Sequence, residues 1–161
     1  MYTEVKTTTS AQNLRIGVVV SRYHEKITTA MRDAAVEKFA EAGGKEENLK
    51  VVSTPGAFEL PAVAHGLVKA GGLDAVVAIG CVLSGETTHD RYISQAVANG
   101  LTQITLQTGV PIAFGLLTCQ TMAQAKARAG GEVGNKGTEA MAAAIETVNT
   151  LRAIGKTGGK G

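Results

Sequence analysis

The chain has 161 residues, the length of one ordinary domain, and 44% hydrophobic content is enough for a core. With aromatics at 4% and no Trp, that core must come from Val, Ile, Leu and Ala. A net charge of +2 without a Lys/Arg run argues against nucleic acid, and no apolar run reaches the roughly 18 residues of a membrane span.

Residues 1–13 are polar and lack a core stripe. They are expected to form an arm, disordered unless another chain pairs with it. No apolar h-region opens the chain, so a cytoplasmic location is expected. Arg15–Val20 is a β-branched run and reads as a buried strand. The next segment carries Ile27, Met31, Ala34 or Ala35, and Phe39 on one helical stripe, and stops near Gly43-Gly44. Lys50–Thr54 is the second strand, broken by Pro55-Gly56. Leu60, Val63, Ala64 and Leu67 mark a second helix, closed at Gly71-Gly72.

Ala75–Cys81 is the third strand and the most apolar run in the chain. A polar loop, Val82–Thr88, leads into a long helix with Ile93, Val97, Leu101 and Ile104 facing inward. Ile112–Thr118 is the fourth strand. Thr121-Met122-Ala123-Gln124 fits a capping box that opens a short helix ending near Gly130-Gly131. Thr138 is expected to cap a last helix that buries Met141, Ile145, Val148 and Leu151. Residues 14–154 therefore make a single domain, and Gly155–Gly161 is a small polar tail expected to be mobile. The two cysteines, Cys81 and Cys119, have no metal-like spacing and read as reduced, buried small hydrophobes.

Strands alternating with helices imply an α/β fold: a parallel sheet, helices on both faces and right-handed crossovers. Ligands of such sheets bind outside the carboxyl ends of the strands. Ser21-Arg22-Tyr23, Pro55–Glu59 and Cys81–His89 follow the first three strands and should line one crevice.

Ser84-Gly85-Glu86-Thr87-Thr88-His89 runs into a helix N-terminus, where free N–H groups and the dipole favour an anion. It reads as a phosphate loop or, more plainly, as a Thr N-cap; Glu86 suits an anion only if its side chain points away. His89 can carry protons near neutrality, although a lone histidine is more often structural. His24 is the reserve candidate, and His65 reads as structural. Tyr23 could stack on a planar ring or simply pack at the edge. Glu59 could accept hydroxyl hydrogen bonds or merely favour its helix's first turn, and Arg128 complements a helix C-terminus. Among these residues there are no paired carboxylates, no Ser/His/Asp order, no Walker loop and no GxGxxG.

PGAFELP at Pro55–Pro61, SGETTH at Ser84–His89, RAG at Arg128–Gly130 and GNKG at Gly134–Gly137 together resemble the lumazine synthase family, over residues 14–154. The resemblance implies a flavodoxin-like, three-layer α/β/α fold with a four-stranded parallel sheet. It implies condensation of 5-amino-6-(D-ribitylamino)uracil with 3,4-dihydroxy-2-butanone 4-phosphate, releasing phosphate, the penultimate step of riboflavin biosynthesis. No metal or organic cofactor is implied.

Position by position, the resemblance puts Tyr23 against the pyrimidine and Ala57-Phe58-Glu59 on the ribityl chain. The backbone of Cys81-Val82-Leu83 meets the pyrimidine edge. Glu86-Thr87 binds phosphate through backbone N–H groups, and His89 carries protons. Phe114 and Arg128 reach the site from a neighbouring subunit, and Lys136 stands close to it. Ser84 departs from the Arg common in the family, which touches only a peripheral charge. Phe114 also lies early in its strand, away from the carboxyl end, so it would reach its own crevice poorly.

The family further implies homopentamers, and in some members an icosahedral shell of twelve. The short Arg128–Gly137 turn leans toward a shell, which could enclose a riboflavin synthase. The N-terminal arm could add a strand to a neighbour's sheet and protect its edge. Three alternatives stay open: a riboflavin synthase of the same fold, a flavodoxin-type flavin binder, and a shell protein with a silent site.

Overall fold

The four apolar runs become the strands of one parallel sheet in a computed structural model that describes residues 1–158. These are β1 (Ile16–Ser21), β2 (Leu49–Thr54), β3 (Ala75–Leu83) and β4 (Ile112–Cys119), ordered β2-β1-β3-β4. The helices are α1 (Glu25–Glu41), α2 (Leu60–Ala70), α3 (His89–Thr108), α4 (Met122–Arg128) and α5 (Lys136–Gly158).

Every residue of β1 is buried, as are all but the last of β3, because helices cover both faces of the sheet. Successive side chains point to opposite faces. Val18, Val20, Val77 and Ile79 therefore pack with Met31 and Phe39 of α1 and Met141 and Ile145 of α5. Val19, Val76 and Ala78 pack instead with Leu60 and Leu67 of α2 and Val97 and Leu101 of α3. Each such large aliphatic side chain contributes roughly 1.5–3 kcal/mol by leaving water. The result is the three-layer, flavodoxin-like architecture expected from the motifs.

Strand order locates the crevice. From β1 the chain steps outward to β2, then crosses back to place β3 on the other side of β1. The sheet's topological switch point lies between β1 and β3, where ligands of doubly wound sheets bind.

The capping box at Thr121 forms as expected. Its hydroxyl accepts from Gln124 N at 3.2 Å, and Gln124 Oε1 accepts from Thr121 N at 3.4 Å. Two other expectations are corrected. Thr138 does not cap the last helix; α5 starts at Lys136, and Asn135 Oδ1 accepts from Gly137 N at 2.8 Å. Asn135 is placed there by a small antiparallel hairpin, β5 (Ala129–Gly131) and β6 (Gly134–Asn135), which periodicity did not disclose. Leu151 is 47% exposed rather than buried, because the buried stripe of α5 ends at Val148.

Beyond Val148 the helix faces the arm. Asn149 Nδ2 donates to Thr8 O at 2.8 Å and Ser10 O at 2.9 Å. Residues 1–9 are exposed, whereas Ala11 is buried and donates its N–H to Ala42 O at 2.8 Å. At the other end α5 runs on to Gly158, past the start of the expected tail; residues 159–161 lie outside the described residues. Among the described residues no helix is long and apolar enough to cross a membrane, and no cluster of His, Cys, Asp and Glu could hold a metal ion.

Candidate active site

Three loops meet at the carboxyl ends of β1, β2 and β3. The first two are zipped together: Arg22 N donates to Thr54 O at 2.8 Å and Tyr23 N to Pro55 O at 3.2 Å. His24 then takes a left-handed conformation, φ 58°, a region that His tolerates better than most side chains. Its carbonyl accepts from Ile27 N and Thr28 N, which starts α1. This reversal leaves Tyr23 67% exposed, its ring edge-on to the His24 ring at 4.6 Å.

The second loop is held from within. Thr54 Oγ1 donates to Gly56 O at 2.9 Å, and Glu59 Oε2 accepts from Gly56 N at 3.0 Å. The Ala57–Glu59 turn between them buries Ala57 and exposes Phe58. Glu59 thus caps its own turn with one carboxylate oxygen. In the third loop Ser84 N donates to Cys119 O at 2.9 Å, and Ser84 Oγ donates to Asp90 Oδ2 at 3.2 Å. Within that closed loop the Thr87 hydroxyl is hydrogen-bonded to His89 Nδ1.

Between the loops lies a pocket of about 290 Å³, lined by Tyr23, His24, Ala57, Cys81, Val82, Leu83, Gly85, His89 and Ile93. Larger hollows exist, one of about 450 Å³ beside Arg15 and Lys50 at the amino ends of the strands and one of about 610 Å³ along the arm. Neither these nor an apolar hollow of about 350 Å³ beside Phe114 sits where the three loops with proton-carrying and aromatic side chains converge, so the smaller pocket is the candidate site. Residues 13–152 match the family model of 6,7-dimethyl-8-ribityllumazine synthase.

The chain belongs to the 6,7-dimethyl-8-ribityllumazine synthase family.

Two lumazine synthases of Thermus thermophilus, from two different strains, are each 44% identical to it over 147 residues, which is 91% of this chain and 94% of theirs. Of the residues singled out from sequence, Tyr23, Ala57, Cys81, Val82, Leu83 and His89 line the pocket. Phe58, Glu59, Glu86 and Thr87 belong to the same loops but not to its wall. Phe114 and Arg128 stand apart. Phe114 lines a separate apolar hollow of about 350 Å³ with Leu101, Leu106 and Ile112. Arg128 closes α4, its Nη1 donating to Gln124 O at 3.1 Å. Lys136 pairs with Glu139 at 2.9 Å. Ile93 is a wall residue that sequence reasoning assigned to the core alone; its place one turn after His89 was the available signal.

Cys81 and Cys119 are buried and carry free thiols, the small apolar side chains that their spacing predicted. Burial first, and then the neighbouring Cys119, push the Cys81 thiol up from 9.0 to about 11. The folded state therefore favours the neutral thiol. That contribution is complete below pH 9.0 and is lost as pH rises toward 11. At pH 8 the thiolate is roughly 100-fold scarcer than in an unfolded chain. Mass spectrometry with iodoacetamide should show Cys81 alkylated at least that much more slowly in the native protein. Equal rates in native and unfolded protein would contradict the shift.

Proposed function

We propose that the pocket bounded by Tyr23, Ala57 and His89 condenses 5-amino-6-(D-ribitylamino)uracil with 3,4-dihydroxy-2-butanone 4-phosphate. The convergence of three loops on one pocket at the switch point, in a chain of this family, carries that assignment. The amine of the uracil attacks the ketone, water leaves and an imine forms. Phosphate is then eliminated, and tautomerisation and ring closure, with loss of a second water, give the lumazine. These steps need two aligned reactants and a proton carrier rather than a protein nucleophile.

Each role follows from what a side chain offers. Tyr23 supplies an exposed ring face for the pyrimidine. Backbone groups of Cys81, Val82 and Leu83 address the pyrimidine edge. The Ala57-Phe58-Glu59 turn receives the ribityl chain, where Glu59 accepts hydroxyl hydrogen bonds. Backbone N–H groups of Glu86 and Thr87, just ahead of the α3 N-terminus, receive the phosphate. His89 moves protons.

Phe114 and Arg128 complete the site of a neighbouring copy. Their distance from their own pocket supports this, as does the apolar hollow at Phe114. The assembly is a homopentamer, closing into an icosahedral shell that could hold a riboflavin synthase, in the cytoplasm. Exposed arm residues and the open edge at β2, where Val51 is 44% exposed, support an arm strand that pairs with a neighbour's sheet.

Arg128→Ala should raise KM for the phosphorylated ketone by roughly 10- to 100-fold, the value of a charged hydrogen bond, with a much smaller effect on the uracil. Steady-state kinetics with each substrate varied in turn tests this; equal effects on both would remove the phosphate role. The function itself is tested by mixing both substrates with purified protein and following fluorescent lumazine and free phosphate together. Saturable formation of both above the uncatalysed rate is expected. A folded oligomer that accelerates neither would favour a flavin binder or a silent shell.

A further inference from the structure

The Thr87 hydroxyl touches Nδ1 of His89 rather than the pocket, while the imidazole itself lines the pocket wall. The ring lies against Gly85, its Cε1 3.6 Å from where a Cβ on that glycine would stand. Ser84 ties the loop at both ends, to Cys119 O and to the Asp90 carboxylate, so hydroxyl and imidazole face each other from a closed frame. A threonine hydroxyl owns a single hydrogen. It can give that hydrogen to Nδ1 or to an entering anion, but not to both at once.

We propose that Thr87 is a positioning residue that sets the tautomer of His89 according to whether an anion occupies the loop; this rests on the phosphate assignment of Glu86–Thr87 above. In the empty site the hydroxyl donates to Nδ1, so the imidazole proton sits on Nε2 and the nitrogen facing the substrates cannot accept. A phosphate offers only acceptor oxygens, and it draws the hydroxyl hydrogen to itself. Oγ1 then turns a lone pair to Nδ1, which must carry the proton. Nε2 gives its proton to solvent, Nδ1 takes one, and the imidazole's charge is unchanged. The exposed Nε2 lone pair becomes a base only once the phosphorylated ketone is bound. Two-nitrogen tautomers governed by the partner of the far nitrogen are the ordinary behaviour of functional histidines.

The chain has three histidines, so selective ¹⁵N-histidine labelling yields three ring pairs, and His89→Gln assigns the one that matters. Magic-angle-spinning spectra of the full-length assembled protein, with and without inorganic phosphate, read the tautomer directly. All samples stay at one pH, which holds constant the titration of Tyr23, His24 and Cys81 across the pocket and of Glu86 and Asp90 beside the ring. Phosphate is expected to move the His89 proton from Nε2 to Nδ1. Thr87→Val should abolish the switch and Thr87→Ser should keep it; Thr87 is exposed, so both variants retain the fold. A uniformly ¹⁵N,¹³C-labelled sample reports the Glu86 and Thr87 amides in parallel; the proposal is overturned if phosphate perturbs those amides while the tautomer stays fixed, or if Thr87→Val still switches. Amides that ignore phosphate would instead sink the phosphate assignment, and the switch with it.

Discussion

His89→Ala is expected to lower kcat by about 10²–10⁴-fold and still leave measurable turnover. His89 is exposed on the pocket wall and begins α3, so its removal leaves the core untouched. What survives is alignment. Holding two reactants in an attacking geometry is worth up to roughly 7–11 kcal/mol, and that geometry is set by the Tyr23 ring and the loop backbone rather than by the imidazole. Proton transfer then falls to water at reduced efficiency. The lumazine fluorescence assay, run with circular dichroism and an assembly check on the same sample, decides the matter. Complete loss from an intact fold would contradict an alignment-dominated mechanism. Unchanged turnover would take His89 out of the chemistry and move the role to His24, which lines the same pocket.

Gly137→Ala should cost about 3 kcal/mol or more, at the upper end of what overpacking does. A Cβ at Gly137 would lie 1.9 Å from Met31 O, 2.6 Å from its carbonyl carbon and 2.9 Å from its Cα. All of these are backbone atoms of α1, so no side chain can rotate away. Relief requires α1 and α5 to part, yet Met31 and Met141 are both fully buried between them and the sheet. At roughly 2–4 °C per kcal/mol for a chain this long, the unfolding temperature should fall by about 6–12 °C. Gly66→Ala is the control. It lies in α2 with nothing within 4 Å of the new methyl, and alanine there should be neutral or stabilising by about 0.4–1 kcal/mol. Similar melts for the two variants would show that the α1–α5 contact is softer than its geometry implies.

The GNKG segment shows where local information stopped. As a motif it helped to mark the family, and Lys136 within it was placed near the active site. In the structure Asn135 and Gly137 serve the fold. Asn135 caps α5 and also donates to Ala30 O at 3.3 Å, a partner 105 residues away in the chain, while Gly137 admits the backbone of α1. No window around Thr138 contains that partner, so the local cap signal pointed to the wrong residue. The hairpin that delivers Asn135 escaped for a different reason: its two strands are three and two residues long, too short to show a period.

Sequence by itself determined the elements and the neighbourhood of the site. β-branched runs such as Ile16–Val20 and stripes such as Ile27, Met31, Ala35 and Phe39 report on burial through period, and period is a property of adjacent residues. Because all four strands are parallel, the loops after the first three had to open on one edge, which put Tyr23, Ala57 and His89 together before any coordinates. Only the tertiary structure decided the order β2-β1-β3-β4, the apolar hollow that Phe114 lines, the capping role of Asn135 and the Thr87–His89 hydrogen bond. Those depend on which surfaces approach across the chain and at what distance, quantities set by packing volume and backbone geometry rather than by the spacing of residue types.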